Sequence, residues 1–214
     1  MDYGYSMVPV DEQCGEYCHR MGRVPFDNAP MCQVCRIPFK TYVYLDHNDP
    51  RLNIDISIPI LYCHDCETVN DWFFYQIRGT GPVVIKQYLG EKLMGWPQPH
   101  GLRGMRLEVI PTKLGSIAAR LNRGYYSGAN GLSAADDTYL DKEVMSKPFH
   151  QFGGYPVWIQ EPVCPLCPVC AERMRFLLFL SSDASIGWQC GDWGILYYYL
   201  CSRCRTVGSI LQCT

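Results

Sequence analysis

Hydrophobic and polar residues alternate over a short stretch in the first third of the chain. From Ile54 to Ile60 every second residue is isoleucine, with two polar residues and Pro59 between them. A period of two predicts a half-buried strand with one apolar face, and the proline favours an edge or a bulge for that strand. Two further apolar runs, over residues 71–79 and 82–90, are broken by Gly and Pro and are also predicted as short strands.

Helical spacing follows in the middle of the chain. Between Pro111 and Gly124, apolar residues recur three and four positions apart, at Leu114, Ile117, Ala118 and Leu121. This pattern predicts one amphipathic helix with a start and a stop signal. An acidic helical turn is predicted around residues 136–145, whereas residues 1–30 and 93–105 have the Gly and Pro content of irregular segments.

Four Cys-x-x-Cys pairs are the strongest chemical signal in the sequence. They form two sets with the same layout, Cys32, Cys35, Cys63 and Cys66, and then Cys167, Cys170, Cys201 and Cys204. Each pair aims two sulfurs at one point, and four thiolates from two turns are the ligands of a closed, tetrahedral zinc site. Two structural zinc ions are therefore predicted. The alternatives are reduced cysteines in the core and, in the second set, Cys164 with Cys167 as the ligating pair.

The two cysteine sets belong to a longer internal repeat. A ten-residue stretch without gaps follows Cys35 and Cys170, and a His-x-x-Gly-x-x-Pro pattern begins at His19 and again at His150. We predict a mainly β (α+β) fold with two pseudo-equivalent β units, each with a zinc-ribbon-like pair of cysteine knuckles. The predicted units are residues 1–124 and 125–214. The two histidines are expected to hydrogen-bond a neighbouring strand rather than act as bases.

Composition and charge narrow the class of protein. The chain has 214 residues, 48% of them hydrophobic, and a net charge of −2 that metal-bound thiolates would make more negative. Clustered positive charge is what phosphate contacts need, so a general nucleic-acid binder is disfavoured. The first residues lack an export signal and no run reaches about 18 apolar residues, so the expectation is a soluble, cytoplasmic protein without a membrane partner.

The segment HQFGGYPVWIQ, residues 150–160, leads into the second cysteine set through CPLCPVC and MRFLLFL. With the later GILY run, these motifs resemble the YwqG family of bacterial proteins, which is similar in turn to the eukaryotic programmed-cell-death-protein-2 family. The resemblance implies a duplicated, mainly β fold without an established enzymatic reaction, and eukaryotic relatives are thought to escort a small-subunit ribosomal protein. In the first copy, residues 23–26 depart from the Gly-Gly-Tyr-Pro pattern.

The Gly-Gly-Tyr-Pro segment has its own physical interpretation. Two glycines permit positive φ and Pro156 removes a ladder donor, so a kinked edge strand is expected. As a ligand-facing edge it would offer the residues Gly153, Gly154, Tyr155, Pro156, Trp158 and Gln160. The alternative is a structural turn with buried aromatic residues.

These observations favour a zinc-stabilised, non-enzymatic protein-binding module, chaperone-like or adaptor-like, with a protein partner of unknown identity. No Ser-His-Asp order, phosphate-cradling Gly loop or paired-carboxylate pattern in the sequence rises above chance, so an enzyme is disfavoured. A toxin-neutralising immunity-type protein is one alternative. A zinc-ribbon nucleic-acid binder, using arginines on the knuckles at Arg36, Arg203 and Arg205, is another.

Overall fold

The computed structural model describes residues 4–11, 17–24, 28–63, 66, 72–87, 102–127, 132–190 and 194–213. Its strands are β1 (Tyr5–Val10), β2 (Arg20–Val24), β3 (Lys40–Leu45), β4 (Ile58–Tyr62), β5 (Phe73–Arg78), β6 (Gly81–Lys86), β7 (Leu102–Val109), β8 (Gln151–Phe152), β9 (Arg175–Ser181), β10 (Ile195–Cys201) and β11 (Thr206–Gln212). The helices are α1 (Thr112–Ser127) and α2 (Ala134–Leu140). A π-helical turn, Asp141–Met145, continues α2, and a 3₁₀ turn, Ala184–Ile186, follows β9.

All the strands of the described ranges lie in one antiparallel sheet, in the order β4-β3-β2-β7-β1-β8-β9-β10-β11-β5-β6. The duplication is visible in the register of this sheet. β2, β3 and β4 pair as β8, β9 and β10 do, with facing residues at equivalent positions: Met21–Val43–Ile60 and Phe152–Leu178–Tyr198. The predicted mainly β, duplicated fold is therefore confirmed.

The two copies exchange their first strands. β1 precedes β2 along the chain, yet β1 pairs with β8, and β7, which precedes β8, pairs with β2. The pairings correspond, because Ser6 faces Gln151 where Gly104 faces Arg20. β1 also pairs along its whole length with residues Gly104 to Val109 of β7, so the two copies share one continuous sheet. A division into units at residue 124 stays a prediction.

The sheet curls, so that β4, at one end of the strand order, lies against β5 and β10. The hydroxyl of Tyr75 on β5 donates to the Pro59 carbonyl on β4 at 2.6 Å, and the hydroxyl of Tyr198 on β10 donates to the Leu61 carbonyl at 3.1 Å. A core of aliphatic and aromatic side chains fills the space enclosed by the curl, with Trp188 at its centre against Tyr42. This burial is the main source of stability for the fold.

A second apolar layer covers the outer face of β10. Successive strand residues point to opposite faces, so Tyr197 and Tyr199 point outward while Tyr198 points into the curl. The outward tyrosines pack with Trp158 and Phe179. All seven residues of β10 are buried as a result. The helices form a third, smaller apolar cluster around Leu114, Ile117 and Val144.

Most predicted elements are present, but the bounds of the isoleucine strand and two predicted irregular segments were wrong. Strands β5 and β6, helix α1 and the acidic turn occur where predicted. The isoleucine strand begins only at Ile58 and is buried on both faces, although its place at the end of the sheet agrees with the edge that Pro59 indicated. Residues 1–30 contain β1 and β2 rather than irregular chain, and β7 starts inside the predicted loop at Leu102, the first part of which lies outside the described residues.

Helices of the described ranges fall short of the length and apolar content that crossing a bilayer requires.

Two glycines give a matched test of the packing. A Cβ on Gly208 of β11 would lie 2.7 Å from a ring carbon of Phe74, whereas a Cβ on Gly115 of α1 would meet nothing closer than 3.6 Å. We expect Gly208→Ala to lower the free energy of unfolding by about 1–3 kcal/mol through overpacking. Gly115→Ala should instead raise it, by up to about 1 kcal/mol, through helix propensity. Urea unfolding of both variants checks this, and equal effects would contradict the packing at β5 and β11.

Candidate metal centres

The first cluster joins two turns that are far apart in the sequence. Cys32 and Cys35 lie on the turn before β3, and Cys63 and Cys66 lie directly after β4. All four Sγ atoms lie within 4.8 Å of one another, with the Sγ atoms of Cys35 and Cys63 at 3.6 Å. Sulfurs bound to one tetrahedral zinc at about 2.3 Å are about 3.8 Å apart. The first set can therefore hold a metal ion with little rearrangement.

The backbone of the first knuckle holds its sulfurs in place. The residue after Cys35, Arg36, has a φ of 64°, and its N–H donates to the Cys32 carbonyl at 3.1 Å. The N–H of Val34 points at the Cys32 sulfur at 3.4 Å. With only two residues between the cysteines, this tight turn orients both thiols toward the same point.

The second cluster repeats this geometry. Cys167, Cys170, Cys201 and Cys204 also bring their Sγ atoms within 4.8 Å of one another. Ala171 has a φ of 58° and donates to the Cys167 carbonyl at 2.8 Å, as Arg36 does in the first cluster. Arg205, after the last cysteine, has a φ of 51°. Left-handed conformations are uncommon outside glycine, and here they mark the exits of knuckle turns.

Cys164 lies outside the second cluster. Its side chain is exposed and its thiol is directed to the Met174 carbonyl at 3.7 Å. The structure therefore brings together Cys167 and Cys170, as the internal alignment favoured, and not Cys164 and Cys167.

The thiols of each cluster differ in acidity. Burial opposes ionisation of Cys32, but N–H donors of Cys35, Gln87 and Val34 outweigh it and lower the pKa of Cys32 to about 7. In the second cluster, burial is likewise outweighed by backbone N–H donors, and the pKa of Cys167 falls to about 7. These two thiols supply the first thiolates for a metal at neutral pH.

Cys66 in the first cluster and Cys204 in the second have raised pKa values instead. Burial and the neighbouring thiols raise the pKa of Cys66 to about 12. The thiol of Cys170 and burial raise the pKa of Cys204 to about 12. Four adjacent thiolates repel one another, so a cation is needed to bring all four into the ionised form, and a coordinating metal does this. The donor set, four soft sulfurs in closed geometry, fits such an ion.

Sequence reasoning missed Gln87, which follows β6. Its side-chain N–H group donates to the Cys32 sulfur at 3.0 Å, and its Oε1 atom accepts the backbone N–H of Gln33 at 3.0 Å. At the other end of the same hairpin, the Gln76 side chain donates to the Cys204 carbonyl at 2.9 Å. No spacing rule identifies such residues, because they reach the cysteines only through the strand order.

The Gly-Gly-Tyr-Pro segment starts inside the sheet. β8 pairs with β1 on one side and with β9 on the other, so the expectation of an edge strand was wrong. Gly153 and Gly154 have φ values of 63° and 69°, the positive values that the two glycines permit. They turn the chain out of the sheet and across its outer face.

The residues after the glycines cover β10. The Pro156 carbonyl accepts the Asn122 side chain of α1, and the Trp158 ring stacks on Tyr197 at 4.8 Å. The Trp158 N–H donates to the Asn122 side-chain oxygen at 2.9 Å. Tyr155, by contrast, is 44% exposed.

Gln160 is also exposed, and its side chain donates to the Cys213 carbonyl at 2.5 Å. Trp158 is thus a packing residue in this segment, and Tyr155 is its aromatic side chain that faces outward. A binding role for the six predicted residues stays a prediction.

Two buried histidines brace equivalent strands. The Nδ1 atom of His19 accepts the Asp46 N–H after β3, and that of His150 accepts the Ser181 N–H at the end of β9. The Nε2 atoms contact Asp49 at 2.8 Å and Asp183 at 3.2 Å. The expectation that these histidines hydrogen-bond a neighbouring strand is confirmed.

The arginines of the second knuckle are engaged with carboxylates. Arg203 pairs with Glu172, and Arg205 pairs with Asp55 at 2.9 Å. These contacts neutralise positive charge that a phosphate backbone would otherwise use.

Comparison with known proteins identifies the family. Residues 86–203, more than half of the chain, match the family model described as "Domain of unknown function (DUF1963)". The chain belongs to the DUF1963 family. The match begins at the end of β6 and ends inside the last knuckle, so the DUF1963 segment takes in β7 to β10 and both helices, which make up most of the second copy.

A curated relative is similar over a shorter segment. The "Uncharacterized protein YpfL" of Salmonella typhimurium is 38% identical to this chain over 66 residues, which are 31% of the chain. The alignment spans 15% of the length of that relative.

The two clusters predict a metal content that can be counted. We expect two divalent metal ions per chain purified without chelator, and one per chain in Cys201→Ser, because loss of one thiolate opens the second site. Cys164→Ser is the matched control and should keep two ions. Elemental analysis with parallel thiol counting measures this, and two ions retained in Cys201→Ser would contradict the ligand assignment.

The buried carboxylate at Asp49 predicts a pH dependence. Burial raises its pKa, but hydrogen bonds from Arg51 and His19 outweigh this and lower it from 3.8 to about 2. The stability that it contributes is therefore present above about pH 4 and is lost as the pH falls toward 2. We expect Asp49→Asn to lower the free energy of unfolding at pH 7 by about 2 kcal/mol.

The difference between wild type and Asp49→Asn should narrow below about pH 4. Asp11→Asn, which removes a carboxylate that is 89% exposed, is the control and should change little. Urea unfolding at a series of pH values measures both differences. A difference in free energy of unfolding between wild type and Asp49→Asn that stays constant down to pH 2.5 would contradict the lowered pKa of Asp49.

Proposed function

We propose that this chain is a zinc-stabilised, non-enzymatic protein-binding module whose knuckle tips contact the partner. The observation that carries the proposal is the repeated exposure of apolar side chains at those tips. Met31 is 49% exposed, and its equivalent in the second copy, Leu166, is 56% exposed. Val169, between the two cysteines of the second knuckle, is 51% exposed.

The exposure of apolar side chains at equivalent positions of both copies supports a role in binding. Single exposed apolar side chains are normal on protein surfaces. Met31 and Leu166, however, both stand directly before the first cysteine of a knuckle, and both form an isolated bridge with the strand side of the turn, to Pro38 and Arg173. A rigid turn that presents an apolar side chain loses little conformational entropy on binding, which favours contact with a protein.

Zinc is the metal we propose for both clusters. Four thiolates suit zinc, and they complete its coordination sphere, so the ion has a structural rather than a catalytic role. A reducing compartment keeps such thiols available for metal, and we place the protein in the cytoplasm on that ground.

The exposed ring of Tyr155 adds a second contact to the proposed interface. Aromatic residues are enriched at protein interfaces. In this interpretation Gly153, Gly154, Pro156 and Trp158 hold the segment on β10, with Gln160 fastening its end, while Tyr155 meets the partner. The resemblance of this motif to the YwqG family, and through it to the programmed-cell-death-protein-2 family, supports a chaperone-like or adaptor-like role.

The two alternatives have less support. A nucleic-acid binder would need the arginines of the second knuckle, and Arg203 and Arg205 are paired with carboxylates. An immunity-type protein would use the same apolar tips against a toxin, so the identity of a captured partner would separate it from an adaptor.

The test compares exposed residues of equal type inside and outside the knuckles. A tagged chain should capture a stoichiometric protein partner from lysate of its source, and Leu166→Ser with Val169→Ser should weaken the purified complex by about tenfold or more. Val109→Ser is the control, because Val109 is 65% exposed on β7 and away from the cysteines. Tyr155→Ala should weaken the complex without changing the melting temperature.

Metal content must stay at two ions in all these variants for the comparison to hold. The proposal fails if the wild-type chain captures no stoichiometric partner, or if the knuckle variant binds that partner as tightly as Val109→Ser does.

A further inference from the structure

A cleft of about 460 Å³ lies between the two copies. One wall is the loop 53–56 that leads into β4, and the other is formed by the start of β9, the end of β10 and the last knuckle. Its volume is within the range of about 300–1,000 Å³ typical of sites for small ligands and peptide side chains. The knuckle tips at Leu166 and Val169 do not line it.

Arg175, the first residue of β9, brings an unsatisfied cation to this cleft. Its Nε atom is buried and has no hydrogen-bond partner within the described part of the chain. A terminal nitrogen makes one long contact, 3.4 Å, to the Asn53 carbonyl. Burial lowers the pKa of Arg175, yet a guanidinium stays charged at neutral pH. Among the described residues, no carboxylate forms an ion pair with it, and its buried Nε atom costs stability unless a hydrogen-bond acceptor meets it.

The second arginine of the cleft is already partnered. Arg205 pairs with Asp55 at 2.9 Å, across the opening between the last knuckle and the loop. The three charged side chains that line the cleft, Arg175, Arg205 and Asp55, therefore leave one net positive charge. This balance matches an anion with a single charge, and the Asp55 carboxylate disfavours a doubly charged phosphate.

The rest of the cleft is lined by apolar side chains and by the backbone at Asn53. Ile54, Ile56 and Leu200 contribute the apolar surface. Asn53 has a φ of 47°, and its carbonyl accepts the contact from Arg175. Residues held in a sparsely populated backbone conformation are found most often at functional sites.

We propose that this cleft binds a carboxylate with a branched apolar group beside it, the Arg175 guanidinium pairing with the carboxylate while Ile54, Ile56 and Leu200 contact the apolar group. Arginine is suited to this because its planar donors match a carboxylate. Two kinds of ligand have a carboxylate beside a branched apolar group: a small branched-chain acid, and a peptide whose C-terminal residue is leucine or similar to it. The site is distinct from the knuckle tips and does not depend on the function proposed for them.

The metal-loaded full chain is titrated with 4-methylpentanoate and with acetyl-Ala-Ala-Leu, each as the free acid and as the amide, and with inorganic phosphate. Ligand-observed NMR and calorimetry measure the affinities. We expect saturable binding of at least one free acid, at least tenfold weaker binding of its amide, and weaker binding of phosphate. A peptide acid that binds more tightly than the small acid identifies a chain terminus as the source, and the reverse order identifies a small acid.

Arg175→Met is the decisive variant, because it keeps the length of the stem and removes the charge. It should fold, since a half-buried side chain whose buried Nε atom has no hydrogen-bond partner among the described residues is replaced by an apolar side chain, and it should bind the acid at least tenfold more weakly. Arg173→Gln changes an exposed arginine two residues earlier and should bind as wild type does.

The acid should also raise the melting temperature of wild type and not that of Arg175→Met. Equal binding of acid and amide, tighter binding of phosphate, or unchanged affinity in Arg175→Met would overturn the proposal. Leu166→Ser with Val169→Ser should retain acid binding, so failure at the knuckle tips and failure at the cleft are distinguishable.

Discussion

The pairing of β1 with β7 is the contact on which the rest of the sheet depends. Each of these strands also pairs with the second strand of the other copy, so neither copy has a complete set of neighbours by itself. A buried strand that loses one neighbour leaves backbone donors and acceptors unsatisfied, which is costly. The duplication therefore produces one continuous sheet, in which β1, near the start of the chain, lies between β7 and β8, the second of which lies beyond residue 150.

The cysteine knuckles close turns that few packed apolar side chains would otherwise hold in place. In each copy the two knuckles flank a pair of adjacent strands, β3 with β4 and β9 with β10. A metal ion bound to all four sulfurs would hold the ends of both strands at a fixed distance, and its binding to the folded chain would add to the free energy of unfolding. The tips are then free to be apolar and exposed, because their conformation does not rely on packing.

How much the sequence predicts depends on whether the signal is local. The knuckles were predictable because two residues between cysteines already dictate a tight turn. β7 was missed because its start lies among Gly and Pro residues and its partners are β1 and β2, almost a hundred residues earlier. The edge strand expected at Gly153 failed for a related reason. Two glycines predict that the chain turns, but they do not predict which surface it covers after the turn. Here the chain crosses the outward tyrosines of β10, where Trp158 packs.

The β5–β6 hairpin contacts the cysteine clusters of both copies. Gln76 on one strand holds the backbone of the last knuckle at Cys204, and Gln87, just after the other strand, donates to the Cys32 sulfur of the first cluster. One small element therefore contacts both centres. Because this hairpin reaches both clusters, a metal ion bound at one cluster would favour the binding of a second ion at the other.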